Sequence, residues 1–419
     1  MNIGFFTDSY TPQIHGVVTS INLFRDALIK QGHNVYVFAP ADPEGKKLEE
    51  ENVFRFASTK SIVVPNIPFT IPISFKNASA IPKLELDLIH SHTPATMGLL
   101  ADYYCYTKNL PHVYTYHTYY PEYIKHYFLK GKVITPKMVA KYDKFYCNRT
   151  NHVIAPSAKL EKVLRSFGVE VPITVLPTGL ELEKFADVDA DNFRRKFKID
   201  QKTKLLLYVG RVATEKNIEY LIKMFQTLVK NEPDSLLAIV GDGPGREGYE
   251  KLAKELGIAD KVLFTGFIDR EEVVQGFKAA DLFLFASLTD TQGVVIFEAI
   301  ASGTPVVMLK DEGLIDVVKE GVTGYTVDGY EEDMAKKVLE VLRDEKTHAK
   351  LSANCLAARP SLSIDFYAKK LEEVYKDTVA KHSEIPEKEK FWQKLNKDID
   401  VPDIFRQNGK KIKNLFKKN

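Results

Sequence analysis

The stretch from Phe283 to Leu309 reads FLFASLTDTQGVVIFEAIASGTPVVML, and it decides the fold. Its apolar opening, Leu282 to Ala286, has the length of a buried strand. A polar loop, Ser287 to Gln292, leads to Gly293. Apolar residues then recur at helical spacing around Glu298, until Gly303-Thr304-Pro305 ends the helix before a second apolar run. Strand, loop, helix and strand in this order make one βα unit of a parallel sheet. Two carboxylates ride on it. Asp290 lies in the loop after the strand, where open α/β sheets bind ligands. Glu298 lies about one turn into the helix. The helix N-terminus attracts phosphate, because its first N–H groups lack partners and its dipole is positive there. Carboxylates beside such a site suit hydroxyls better than phosphate. The pair therefore points to a sugar nucleotide, although an acid in a βα loop serves equally well as an N-cap.

The same grammar runs along most of the chain. Strands are expected at Asn2–Thr7, Val35–Pro40, Asp87–His92, His112–His117 and His152–Pro156. A helix is expected from Gly16 to Lys30, with Ile21, Phe24, Leu28 and Ile29 on one face. The pattern restarts at Lys204–Gly210 and continues through Ser235–Gly241, Val262–Phe267, Asp281–Ala286 and Pro305–Leu309. The restart predicts an α/β architecture of two Rossmann-like, doubly wound domains. Facing domains of this kind create a cleft suited to a small molecule. The boundary is expected in the charged stretch Phe185–Thr203, giving domains over 1–190 and 191–360. An amphipathic helix is expected over 361–381 and a basic tail over 382–419.

Bulk properties narrow the class. A chain of 419 residues exceeds one typical domain. Hydrophobic content of 44% and charged content of 27% belong to globular proteins. A net charge of +2 excludes an overall nucleic-acid signal. Cys105, Cys147 and Cys355 fit no zinc or redox spacing and read as reduced, small apolar residues of a cytoplasmic protein. The opening Met1–Asp8 lacks the basic start of a signal peptide. No apolar run approaches the roughly 20 residues of a membrane span, so any work on a membrane is expected from its surface.

Further residues carry chemistry. Gly210-Arg211 and Lys216-Asn217 follow the first strand of the second domain. Arg211 and Lys216 can neutralise a diphosphate leaving group without a metal, or can belong to a solvated loop. Gly241-Asp242-Gly243-Pro244 reads as a tight structural turn. A base can lie against Phe267 and Ile268. In the first domain Gly16 starts a helix and lets a phosphate or sugar approach backbone. His92 and His117 end two strands at the same sheet edge.

Jointly these motifs, with Tyr116-His117-Thr118 and Pro177-Thr178-Gly179, resemble the retaining, sugar-nucleotide-dependent glycosyltransferases of the GT-B fold. That family includes sucrose synthases and bacterial lipid glycosyltransferases, and the nearest branch is the bacterial diacylglycerol glucosyltransferases. The resemblance covers nearly the whole chain to about Lys381. It implies that Arg211 and Lys216 hold the diphosphate and Glu298 the ribose hydroxyls. It implies that Asp290, with Thr291, Gln292, Gly293 and Val294, lies against the donor sugar, and that His117 contacts the sugar near the reacting carbon. Asp290 stands where the family usually has Glu, and Gln292 where it has an aromatic. The C-terminal helix of the family crosses back onto the first domain. The resemblance implies no required cofactor, with a divalent cation such as Mg as at most a stimulant.

Three features hint at a lipid acceptor. Ser61–Ile73 is an apolar, proline-broken stretch that includes Ile67 and Phe69 and reads as an exposed lip. Pro121–Thr150 interleaves Tyr123, Tyr127 and Phe128 with Lys130, Lys132 and other bases, a pattern that lies on anionic bilayers. The tail is the third. The expected reaction moves glucose from UDP-glucose to diacylglycerol at the inner face of the cell membrane. A soluble or protein acceptor is the second expectation, and a non-catalytic nucleotide-sugar binder the third.

Overall fold

The computed structural model describes residues 1–419 apart from 14, 45–49, 61–67, 122–134, 288–289, 312–313, 315–316 and 383–419. The chain divides into two compact units: Met1–Thr178 together with the chain from Ala368, and Gly179–Tyr367. The division precedes the charged stretch in which it was expected. Phe185 and Phe193, set among those charges, are buried in the core of the second unit. Arg194 is buried as well and donates to the carbonyls of Asp200, Thr203 and Ala279. The stretch is thus a packed element, not a linker.

The first unit is built on strands β1 (Asn2–Phe6), β2 (Asn34–Pro40), β3 (Val53–Phe56), β6 (Leu88–Ser91), β7 (His112–Thr115), β8 (His152–Ala155) and β9 (Ile173–Val175). They form a parallel sheet in the order β3-β2-β1-β6-β7-β8-β9. A separate antiparallel ribbon pairs β4 (Ser58–Thr59) with β5 (Phe69–Thr70). The helix Gly16–Lys30 forms as expected and buries Val18, Ile21, Phe24, Ala27 and Leu28. Ile29 departs from expectation: it is 42% exposed, because it sits about 100° around the helix from Leu28 and outside the apolar stripe.

The second unit carries β10 (Lys204–Val209), β11 (Ser235–Val240), β12 (Val262–Gly266), β13 (Leu282–Phe285), β14 (Val306–Leu309) and β15 (Gly324–Val327). Their order is β12-β11-β10-β13-β14-β15, all parallel. Alternate residues of these strands feed two different cores. Leu206 and Tyr208 pack with the helix Ile218–Val229 on one face. Leu205 and Leu207 pack with the helices Arg270–Ala279 and Val294–Ser302 on the other. Burial on both faces explains the unbroken apolar runs of the sequence. In each sheet the winding reverses once, between β1 and β6 and between β10 and β13. The crevice outside the strand ends at such a reversal is where open α/β sheets take ligands.

Candidate active site

At the reversal in the second unit, the loops after β10 and β13 are bonded to one another. Asn217 Nδ2 donates to the Ala286 carbonyl at 3.3 Å, and Ser287 Oγ donates to the Glu215 carbonyl at 3.3 Å. Lys216 Nζ reaches Asp290 Oδ1 at 2.6 Å. Of the basic and acidic residues expected to share a site, Lys216 and Asp290 therefore meet. Asn217 adopts the left-handed conformation that turns the chain from the Thr214–Lys216 turn into the helix Ile218–Val229. Arg211 lies half exposed on the same loop, 3.8 Å from Glu215 Oε1. Gly293, at φ +66°, starts the helix Val294–Ser302 and aims its N-terminus at this edge. Thr291 and Gln292 are half-buried beside it, and Val294 is at the exposed margin.

Glu298 lies one turn into that helix and is buried. Arg270, the first residue of the helix Arg270–Ala279, grips it with both arms: Nη1 to Oε2 at 3.0 Å and Nη2 to Oε1. Burial raises the Glu298 carboxyl above its usual range, and the Arg270 guanidinium works against that rise. Arg270 escaped the sequence reading. The signal was present: a cation at the first helical position opposes the helix dipole, while Glu271 and Glu272 beside it follow the rule. Next to it, Ile268 packs on the core and Phe267 stands 84% exposed. The turn Gly241–Pro244 has the structural role expected. A Cβ on Gly241 would fall 2.0 Å from the Gly210 carbonyl oxygen, and one on Gly243 would fall 2.4 Å from that of Val212.

In the first unit Asp8 and His92 follow the two strands at the reversal, β1 and β6, and His117 follows the neighbouring strand β7. His92 Nδ1 and His117 Nε2 are 3.1 Å apart, and both rings are held neutral. Burial pushes His117 down to about 3 and His92 well below its usual value, with His90 and His117 adding to the effect on His92. Asp8 is buried and accepts from Thr93 Oγ1 at 2.7 Å, Thr96 Oγ1 at 2.5 Å and the Met97 amide at 3.1 Å. It thus caps the helix Thr96–Lys108 and holds the β1 and β6 loops together. A Cβ on Gly16 would meet nothing within 4 Å, so packing does not demand glycine and space is left over the helix start. Of the residues expected to meet lipid, Phe69 is 56% exposed. Ile67, Tyr123, Tyr127, Phe128, Lys130 and Lys132 lie outside the described residues, as does the basic tail beyond His382.

Comparison with known proteins bears on this geometry. Residues 189–356 match the family described as Glycosyl transferases group 1, and residues 14–184 match Glycosyltransferase Family 4. The alpha-monoglucosyldiacylglycerol synthase of Streptococcus pneumoniae is 33% identical over 409 residues, covering 96% of this chain and 90% of that protein. The chain belongs to the glycosyltransferase group 1 family. The synthase of the same name from Acholeplasma laidlawii is 29% identical over 399 residues, 91% of this chain and 98% of that one. Among solved structures, Alr3699/HepE of Anabaena in complex with UDP superimposes with a TM-score of 0.71 at 20% identity, over 90% of this chain and 100% of that one. Sucrose-phosphate synthase of Thermosynechococcus elongatus gives a TM-score of 0.70 at 20% identity, over 90% and 99% of the two chains. These likenesses establish the GT-B fold, two parallel-sheet α/β domains, for this glycosyltransferase. Each of its two sheet reversals carries the polar residues described above.

Proposed function

We propose that the protein moves glucose from UDP-glucose to the free hydroxyl of diacylglycerol with retention at the anomeric carbon, forming a monoglucosyl glycolipid at the inner membrane face. The near full-length similarity to two monoglucosyldiacylglycerol synthases carries this reading. In the reaction the acceptor hydroxyl attacks the anomeric carbon on the face from which UDP departs. The bond from that carbon to the β-phosphate oxygen breaks, and the phosphate oxygen takes the acceptor proton, so no strong protein base is needed. The protein then acts by positioning and by stabilising the departing charge. Arg211 and Lys216 meet that charge in place of a metal. Lys216 spends one of its three N–H donors on Asp290, which leaves two for phosphate. Glu298 takes ribose hydroxyls and Asp290 a donor-sugar hydroxyl. Neutral His117 binds the sugar without competing for protons, and exposed Phe267 offers a face for the base.

Surface features support a lipid acceptor. No described helix is long and apolar enough to cross a membrane. From the start of β5 onward, the exposed residues Phe69, Ile71 and Ile73 alternate with the buried or half-buried Thr70, Pro72 and Ser74. This reverses the usual pattern, in which the apolar side faces inward. On the helix Pro136–Cys147, Lys137, Lys141 and Lys144 share the exposed face opposite buried Val139 and Tyr146. Purified protein given UDP-glucose or UDP-galactose and diacylglycerol vesicles, with and without anionic lipid, tests the proposal. An α-glucosyl diacylglycerol formed chiefly on anionic vesicles is expected. Donor hydrolysis with no lipid product overturns it. The double change Phe69→Ser with Ile73→Ser should weaken vesicle co-sedimentation severalfold while leaving UDP affinity unchanged.

A further inference from the structure

We propose that Arg270 is a positioning residue for the nucleotide: it supplies the counter-charge for buried Glu298 and holds both carboxylate oxygens where they take ribose hydroxyls. The inference rests on the reading of Glu298 as the ribose anchor. It starts from an imbalance. The Glu298 side chain is 6% exposed, whereas that of Arg270 is 52% exposed. A carboxyl so buried gives up its charge unless a partner compensates it. Arg270 is the charged group acting on Glu298 among the described residues. Its bidentate grip engages both oxygens, and a carboxylate offers about four lone-pair sites, so two remain for hydroxyl donors.

Local structure points the same way. Arg270 occupies the first position of the helix Arg270–Ala279, where the dipole disfavours a cation. A residue that breaks a local rule is expected to gain something elsewhere, and here the gain is the buried ion pair. The backbone that carries it is fixed by a capping box, in which the Asp269 amide donates to Glu272 Oε2 at 3.1 Å. Phe267 and Ile268 lie in the same short loop. The wall offered to the base and the arm that orients the ribose anchor therefore belong to one segment.

The test is calorimetric titration of the full chain with UDP and with 2′,3′-dideoxy-UDP. The wild type should bind UDP about tenfold or more tightly than the dideoxy nucleotide. Arg270→Ala should lose about tenfold in UDP affinity near pH 7 and little for the dideoxy nucleotide. Relative to wild type, the loss should shrink as pH rises, because the buried carboxyl without its partner ionises only at higher pH. Arg270→Lys, which keeps the charge but not the fork, should fall between the two, and it secures the result if the alanine variant melts early. Undiminished UDP affinity in Arg270→Ala overturns the proposal, as does an equal loss for both nucleotides or a loss that ignores pH. A wild type that does not distinguish the two nucleotides refutes Glu298 as the ribose anchor before any variant is made, and the inference falls with it.

Discussion

Lys216 and Asp290 lie 74 positions apart yet meet at 2.6 Å, because their loops leave neighbouring strands at the same sheet edge. Truncating the lysine removes charge from the place where phosphate is proposed to leave. Lys216→Ala should lower kcat about 100-fold or more. Its side chain belongs to no core, so the melting temperature should move by no more than about 2 °C. Near-normal turnover would remove Lys216 from the mechanism. Asp143 makes a different prediction. It is buried and accepts from the Tyr116 hydroxyl at 2.8 Å, and burial pushes it up to about 7. Unfolded, it would ionise near pH 3.9. Between those values the folded chain keeps a proton that the unfolded chain has released, so stability falls as pH rises through the window. Asp143→Asn keeps an acceptor for Tyr116 and carries no charge. It should raise the melting temperature by a few degrees at pH 8 and hardly at all at pH 4. Scanning calorimetry at both pH values reads this, and an equal shift at each would contradict it. Lys216, Asp290 and Glu298 were legible in the sequence because each sits at a strand end or a helix start. The Arg270 partnership was not, since Arg270 and Glu298 stand on separate helices 28 positions apart.

At the scale of elements, the glycines after β11 matter through what they allow to approach. The Gly210 amide donates to the Val240 carbonyl, and the Gly241 amide donates to the Gly266 carbonyl. Three loops are stitched together at the nucleotide edge by such bonds. Gly241 has φ +126°, and any Cβ there would overlap the Gly210 carbonyl. Gly241→Ala should cost more than about 2 kcal/mol, seen as an earlier unfolding transition together with weakened UDP binding. A variant as stable as the parent would mean that the loops can part. Long apolar runs identified the central strands, and the Gly303-Thr304-Pro305 stop identified the end of the helix that carries Glu298. In the two parallel sheets the missed strands, β3, β9 and β15, are all sheet edges of three or four residues, and the two-residue strands β4 and β5 of the ribbon were missed as well. Edge strands expose one side and carry too few apolar residues to register as a run.

For the whole molecule, the last described helix, Ile364–His382, begins in the second unit and from Ala368 belongs to the first. Its Ala368, Leu371 and Tyr375 are buried, and the Tyr375 hydroxyl bonds His90 Nδ1 at 2.6 Å. Removing the chain after Tyr367 would open the first unit's core. The calorimetric transition of that unit should move down by several degrees or vanish, while the other unit still melts with its own core. An unchanged first transition would show that the helix adds nothing to that core. The sequence by itself determined that the chain is two α/β units, where most strands end, and which loops carry acids and bases. Those features follow from local periodicity and turn chemistry, which a window of residues contains. Only the tertiary structure decided that the units part at Gly179, that His92 faces His117, that Arg270 holds Glu298, and that Tyr375 returns to His90 across 285 positions. Strand order and helix packing bring those groups together, and neither is written in the spacing of any one segment.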